Sequence, residues 1–219
     1  RTMLRLERSG ALNINLVSPS HFLLPILRAL RIAYAQGLSL PVVYNDNGYE
    51  KAEIIMNLDE IVDLYLPDLK YLSAEVSAKF SGAADYFEHA SLALKEMALQ
   101  KPVLVLDCSG IAREGLIVRH LVLPGQTADS LAILEWLAAE LSTLIPVSLM
   151  SQFHPCYRAP EELRRPLQPQ EYRAVLARAE ALGFADLFIQ PEAFKPEENL
   201  LPNFNLKAPF SWGGKPQGR

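Results

Sequence analysis

Charged side chains directly follow a short apolar run, typical of a buried strand, within Ile61–Tyr71. The strand should end near Leu66, because Pro67 cannot donate a hydrogen bond to a sheet ladder. Asp68 and Lys70, an acid and a base, come immediately after it. In parallel sheets, ligands bind beyond the carboxyl ends of the strands. The pair therefore predicts a site for a small charged ligand.

Further ionisable and amide groups stand at corresponding positions of the other predicted strands. They are His21 after the first strand, Asn45 and Asn47 after the second, Arg119 within the fourth and His154 after the fifth. Parallel strands would bring these groups to one edge of the sheet. Arg119 in an apolar strand needs an acidic partner or an anionic ligand, because burying an unpaired guanidinium is costly. His120 points to the opposite face, so only one of the two faces the site.

Most of these residues also have a purely structural interpretation. Asp68 and Lys70 could form a surface ion pair, which contributes little. His21 could cap a helix, and Asn47 could serve only the turn with Gly48. His154 lies between Phe153 and Pro155 after a predicted strand, and we interpret it as functional.

Apolar periodicity predicts six strands that alternate with helices. The strands are Asn13–Val17, Leu40–Tyr44, Ile61–Leu66, Leu116–Leu123, Val147–Met150 and Leu187–Ile189. Lys101–Glu114 is predicted to be irregular, apart from an extended Val103–Leu106. The alternation implies right-handed crossovers and a parallel sheet, hence an α/β fold. No Gly-rich phosphate-binding motif follows the first strand, so we expect a partial barrel rather than a doubly wound dinucleotide-binding sheet.

Composition narrows the class of protein. The 219 residues are half apolar and predict one large domain. The net charge of −4, with acids and bases interleaved, indicates neither a nucleic-acid nor a membrane surface. No apolar run reaches the roughly 18 residues of a membrane span, and no signal peptide is visible. Cys108 and Cys156 form no disulfide framework, so we expect a cytoplasmic protein.

Both ends of the chain carry a prediction. Arg1 already lies inside a helical pattern, which suggests a fragment of a longer protein. Beyond residue 190, prolines, glycines and asparagines dominate. Residues 191–219 are therefore predicted to be a C-terminal tail, either docked on the body or flexible.

Five blocks of the sequence resemble, in the same order, radical SAM proteins related to pyruvate formate-lyase-activating enzyme. The blocks are Asn13–Phe22, Pro41–Tyr49, Val62–Tyr71, Gly115–Gly125 and Ser148–Pro155. The resemblance implies a partial (β/α)6 barrel over residues 1–190, of which this chain holds all but the first strand. It also implies S-adenosylmethionine (SAM) and a 4Fe-4S cluster on a Cys-x3-Cys-x2-Cys motif.

The implied chemistry is cleavage of SAM to a 5′-deoxyadenosyl radical, which abstracts a hydrogen atom. Activating enzymes take that hydrogen from a glycine of a partner glycyl-radical enzyme, and flavodoxin or ferredoxin supplies the electron. The cysteine motif is absent here and is expected upstream of Arg1. A cluster needs three or four thiolates, so this fragment alone should neither hold it nor perform the chemistry.

The resemblance also implies roles for single residues. Lys70 looks like the partner of the SAM carboxylate, a charge-assisted contact. Asp68 would accept from the ribose or the amino group, or orient Lys70. Arg119 resembles an arginine that reaches the ligand, and His154 a histidine beside its methionyl or adenosyl part.

Weaker assignments fall on the loops after the first two strands. Asn45 and Asn47 would contact the ribose. In activating enzymes a Gly-Gly-Glu motif binds the SAM amino group, and here Ser18-Pro19-Ser20-His21 takes its place. The hydroxyls of Ser18 and Ser20 or the imidazole of His21 would then do that work.

Two other functions agree with the same residues. Lys70 could be the amine of a Schiff-base lyase on a barrel, with Asp68 as proton acceptor. Alternatively, the chain could be a non-catalytic interaction module without a cluster.

Overall fold

The computed structural model describes residues 1–156 and 158–190, which form a mixed α/β structure with parallel sheets. The predicted tail, 191–219, lies outside the described residues. The strands are β1 (Ile14–Val17), β2 (Val42–Asp46), β3 (Leu64–Pro67), β4 (Val105–Leu106), β5 (Ala112–Leu116), β6 (Val118–Leu121), β7 (Val147–Met150) and β8 (Leu187–Ile189). The α-helices are α1 (Thr2–Arg8), α2 (Leu23–Ala35), α3 (Ala52–Met56), α4 (Ala74–Ser81), α5 (Tyr86–Gln100), α6 (Thr127–Glu140) and α7 (Pro169–Leu182).

The strands form two sheets, with the orders β1-β2-β3-β5-β4 and β6-β7-β8. Neighbours pair in parallel, except for the antiparallel pair β4–β5. A parallel bridge between Asp68 and Arg119 joins the two sheets. The Leu69 amide also donates to the Arg119 carbonyl at 2.8 Å. The predicted parallel α/β arrangement is confirmed.

The predicted fourth strand, Leu116–Leu123, is wrong in its bounds, because the structure has β5 and β6 there instead. Tyr65 pairs with Leu116, and Asp68 pairs with Arg119 in the same register. Between these pairs stands Pro67, which has no N–H to donate, so the ladder is interrupted. The region predicted to be irregular also contains the start of β5, because residues 112–114 pair with β4 in a hairpin.

One face of the strands is buried under the helices, and the other is more open. Tyr65, Leu116 and Val118 lie in the core together with helix residues such as Leu94. On the alternate parity, Leu66, Asp68 and Arg119 are only partly buried, whereas Leu64 is buried. Their side chains share one face because strand side chains alternate. Chain order also matches spatial order for the parallel strands, without the reversal that marks a doubly wound sheet.

Gly10 and Gly37 follow the ends of the first two helices. Both adopt positive φ angles, and the amide after each closes the last helical turn. Ala11 donates to the Leu6 carbonyl at 3.1 Å in the first helix, a Schellman arrangement. Within the described residues, no helix combines the length and apolar character needed to cross a membrane.

Candidate functional site

A cluster of three charged side chains lies where β3 and β6 end. The Arg119 Nη2 atom is 2.7 Å from Asp68 Oδ1, and the Lys70 Nζ atom is 3.4 Å from Asp68 Oδ2. The Arg119 contact is an ion pair rather than an aligned hydrogen bond, since neither Asp68 Oδ1 nor Arg119 Nε has a hydrogen-bond partner. One carboxylate between two cations leaves a net positive charge. The cluster can therefore bind an organic anion.

Alternation along β6 decides which of its two basic residues faces the cluster. Arg119 lies on the Asp68 side, and His120 is buried on the other. The His120 Nδ1 atom is 2.7 Å from the Leu69 carbonyl oxygen, and Nε2 is 2.9 Å from Ser130 Oγ. Burial lowers the pKa of His120, so the ring is neutral near pH 7 and serves packing. The prediction that only one of the pair faces the site is confirmed.

The cluster forms one end of a cavity of about 380 Å³. The cavity is lined by Asp68, Lys70, Tyr71, Phe80, Arg119, Leu121, Leu123, Met150, Gln152, Phe153 and Leu163. Charged groups thus face aliphatic and aromatic side chains across one space. Small-molecule sites commonly combine an apolar wall with a few polar groups that fix orientation. The arrangement suits a ligand that has an anionic end and an apolar or aromatic body.

Asp46, at the end of β2, is a buried acid that the sequence analysis missed. Its Oδ1 atom accepts a hydrogen bond from the Gly48 amide at 2.6 Å, whereas Oδ2 has no partner among the described residues. Burial raises the pKa of Asp46 to about 7. That pKa includes smaller raising contributions from Glu50 and Asp68 and the lowering effects of the Gly48 hydrogen bond and of Arg119. The predicted second strand ended at Tyr44, whereas β2 runs to Asp46, so the argument about a charge inside an apolar strand was not applied to this residue.

The turn formed by Ser18, Pro19, Ser20 and His21 is anchored by a second missed acid. Glu50 is buried and accepts hydrogen bonds from the Ser20 hydroxyl and, at 3.1 Å, from the Tyr44 hydroxyl. Ser18 is exposed and holds a left-handed backbone with φ of 50°, which is strained for a residue with a side chain. His21 is exposed. None of Ser18, Ser20 and His21 lines the cavity.

The two asparagines after the second predicted strand differ in role. Asn45 belongs to β2 and pairs with Leu66, so its side chain lies on the same face as that of Asp68. Asn47 is exposed, and its Oδ1 accepts from the Tyr49 amide at 3.0 Å. That bond is an Asx turn, the structural interpretation offered for Asn47. Neither asparagine lines the cavity.

The segment after β7 reaches the cavity through residues other than the predicted histidine. Gln152 and Phe153 line the cavity, whereas the partly buried His154 does not. The Gln152 Oε1 atom accepts from Gln190 Nε2 at 3.1 Å. The structure therefore brings Asp68, Lys70 and Arg119 together and leaves His154 beside the cavity.

The described residues do not provide an iron–sulfur site. Within 1–156 and 158–190, no group of three or more His, Cys, Asp or Glu side chains could hold a metal ion. Cys108 and Cys156 are both free and exposed. A 4Fe-4S cluster thus does not fit the part of the chain that the structure describes.

No family model matches the chain. An uncharacterized protein of Methanocaldococcus jannaschii is similar, with 30% identity over 179 residues. The matched region is 80% of this chain and 48% of that protein, so the chain spans about half the length of this curated relative. The likeness assigns no activity, and the functional argument rests on the site.

Proposed function

We propose that the chain is the SAM-binding and substrate-facing part of a radical SAM enzyme. The observation that supports this most is the cluster of Asp68, Lys70 and Arg119 at one end of a partly apolar cavity. Lys70 and Arg119 come from separate blocks of the family resemblance. Their meeting around one carboxylate is what a shared ligand would require.

The proposal includes a partial (β/α)6 barrel. Two features of the fold support it: parallel strands that follow one another in chain order, and helices that cover one face of them. Right-handed crossovers that always advance in one direction place every helix on the same side. The open face, with Asp68 and Arg119, would then be the inside of the barrel.

Each residue of the cluster has a distinct proposed role. The Lys70 ammonium contacts the ligand's carboxylate, a charge-assisted interaction. Asp68 orients Lys70 and Arg119 and accepts from the amino group or the ribose. The aromatic walls at Phe80 and Phe153 suit the adenine ring.

When bound, SAM and a 4Fe-4S cluster supply the radical chemistry, reductive cleavage to a 5′-deoxyadenosyl radical. The described residues do not fit the cluster, and the proposal places its ligands elsewhere in the protein. A glycyl-radical enzyme as protein substrate, and flavodoxin or ferredoxin as electron donor, remain part of the proposal. This chain's own share is to bind and orient the sulfonium ligand.

The test is calorimetric titration of the complete gene product with S-adenosylhomocysteine, the stable thioether counterpart of SAM. Lys70→Met and Arg119→Met should each lower the affinity about tenfold or more, as expected for a lost charge-assisted contact. Lys95→Met is the matched control, because Lys95 pairs with Glu140 at 2.7 Å and does not line the cavity. Absence of binding by the wild-type protein, or equal losses in all three variants, would reject the proposal.

The Schiff-base alternative makes a different demand on Lys70. A nucleophilic lysine must be a neutral amine, whereas the Lys70 Nζ atom forms an ion-pair contact with the Asp68 carboxylate at 3.4 Å. The contact thus favours a binding role. Borohydride trapping of a carbonyl compound on Lys70 would reverse that preference.

A further inference from the structure

Tyr86, at the start of α5, joins the loop after β3, which carries Asp68 and Lys70 of the cavity lining, to the loop after β2. Its hydroxyl lies 2.8 Å from the Asp68 carbonyl oxygen and 2.9 Å from the Asn47 carbonyl oxygen. It also accepts a hydrogen bond from the Lys70 amide at 3.0 Å. One hydroxyl thus contacts the backbone of the cavity-lining loop after β3 and that of the neighbouring loop after β2.

The surroundings of Tyr86 fix that hydroxyl in place. The residue is buried, its ring stacks on Tyr49 with centroids 6.0 Å apart, and Tyr71 packs edge-on at 5.4 Å. Gly48 packs closely against both groups, because a Cβ atom there would overlap the Asp68 carbonyl oxygen and crowd the Tyr86 hydroxyl. Burial also raises the pKa of Tyr86, so the hydroxyl keeps its proton.

The Lys70 side chain has little of its own to hold it. It is more than a third exposed, and its Asp68 contact is long for an ion pair at 3.4 Å. A long flexible ammonium pays an entropy cost when it is ordered, and a fixed backbone limits that cost. The orientation of Lys70 therefore depends on the backbone that Tyr86 holds.

We propose that Tyr86 is a positioning residue, whose hydroxyl directs the Lys70 ammonium toward the carboxylate of the bound ligand. The inference rests on the proposed function. It concerns only how the protein holds the amino-acid end of a SAM-type ligand. Tyr86 acts through Lys70 and does not touch the ligand itself.

Two related ligands separate this role from a merely structural one. S-adenosylhomocysteine has an amino-acid end, and 5′-methylthioadenosine is a similar thioether without it. In the complete gene product, Tyr86→Phe should lower the affinity for S-adenosylhomocysteine about tenfold, the size of one charge-assisted contact. The affinity for 5′-methylthioadenosine should stay unchanged.

Tyr65→Phe is the matched control, because it also removes a buried tyrosine hydroxyl. That hydroxyl donates to Gln100 Oε1 at 2.6 Å, away from the cavity. Tyr65→Phe should change neither affinity. A second test combines Tyr86→Phe with Lys70→Met, where loss of the tyrosine hydroxyl should cost no further affinity if it acts through Lys70.

Several outcomes would overturn the inference. Equal losses for both ligands, no loss for either, or additive losses in the double variant would each contradict positioning through Lys70. Wild-type protein that binds neither ligand would instead remove the proposed function, and the inference with it. Hydrogen exchange of the wild-type Lys70 amide requires no variant, and fast exchange there would contradict the bond to Tyr86.

Discussion

The buried carboxyl group of Asp46 should give the protein a stability that falls as pH rises. Burial raises the pKa of Asp46 from 3.8 to about 7 in the folded protein. Between those values the folded state holds a proton that the unfolded state has lost, so unfolding becomes easier with rising pH. About three pH units at about 1.4 kcal/mol each give an upper bound of about 4 kcal/mol. The loss should level off above pH 7.

Asp46→Asn isolates this effect. The new amide keeps an oxygen for the Gly48 amide, which donates to Asp46 Oδ1 at 2.6 Å, and it cannot ionise. Urea unfolding of both proteins should show that the unfolding free energy of the variant rises relative to that of the wild type. Between pH 5 and pH 7 this relative rise should be at most about 3 kcal/mol. His120 works in the opposite direction, because its lowered pKa costs stability as pH falls. That contribution is common to both proteins and cancels in the difference.

The control is Asp59→Asn, which removes an exposed carboxyl group that is 3.6 Å from Lys101. Its stability should follow the wild-type pH curve. A difference between Asp46→Asn and the wild type that stays constant from pH 5 to pH 8 would refute the reasoning.

Two further predictions concern the folding of the site and its support. Gly48→Ala should lower the unfolding free energy by more than about 3 kcal/mol for two reasons. The alanine must adopt a positive φ, and its Cβ atom overlaps the Asp68 carbonyl oxygen. Gly37→Ala, at a similar φ in open space, should cost only about 1–2 kcal/mol in urea unfolding, and equal costs would contradict the packing argument. Glu171→Gln should cost about 1–2 kcal/mol at pH 7, because Arg165 lowers the pKa of Glu171 to about 2. The difference should fade as pH drops from 4.5 toward 2, and a difference unchanged over that range would show that the charge is not involved.

The elements of the fold could be predicted because their signals are local. Apolar periodicity located β1, β7 and β8 to within one residue. The bounds of β5 and β6 could not be predicted, because they depend on Pro67, which lies in a neighbouring strand. A missing hydrogen-bond donor in one strand interrupts the pairing of its neighbour. The neighbour's own sequence pattern does not predict this interruption.

A rule about topology predicted the charged cluster. It did not predict the residues that hold the cluster's backbone in place. Asp68, Lys70 and Arg119 follow from the convergence of parallel strand ends. Tyr86 is buried on a helix, and its sequence context does not show which backbone groups its hydroxyl reaches.

Single residues in loops were the least predictable part of the site. Two of them, Asn47 and His154, lie outside the cavity. Turn geometry decides where such side chains point, and it is set by contacts with other loops. The Ser20 hydroxyl, for example, bonds to Glu50.

A structure of the complete gene product bound to S-adenosylhomocysteine tests the central claim most directly. The account predicts the ligand in the cavity described above, with its carboxylate about 3 Å from Lys70 Nζ and its adenine near Phe80 or Phe153. A ligand bound elsewhere, or one whose carboxylate is remote from both Lys70 and Arg119, would contradict it.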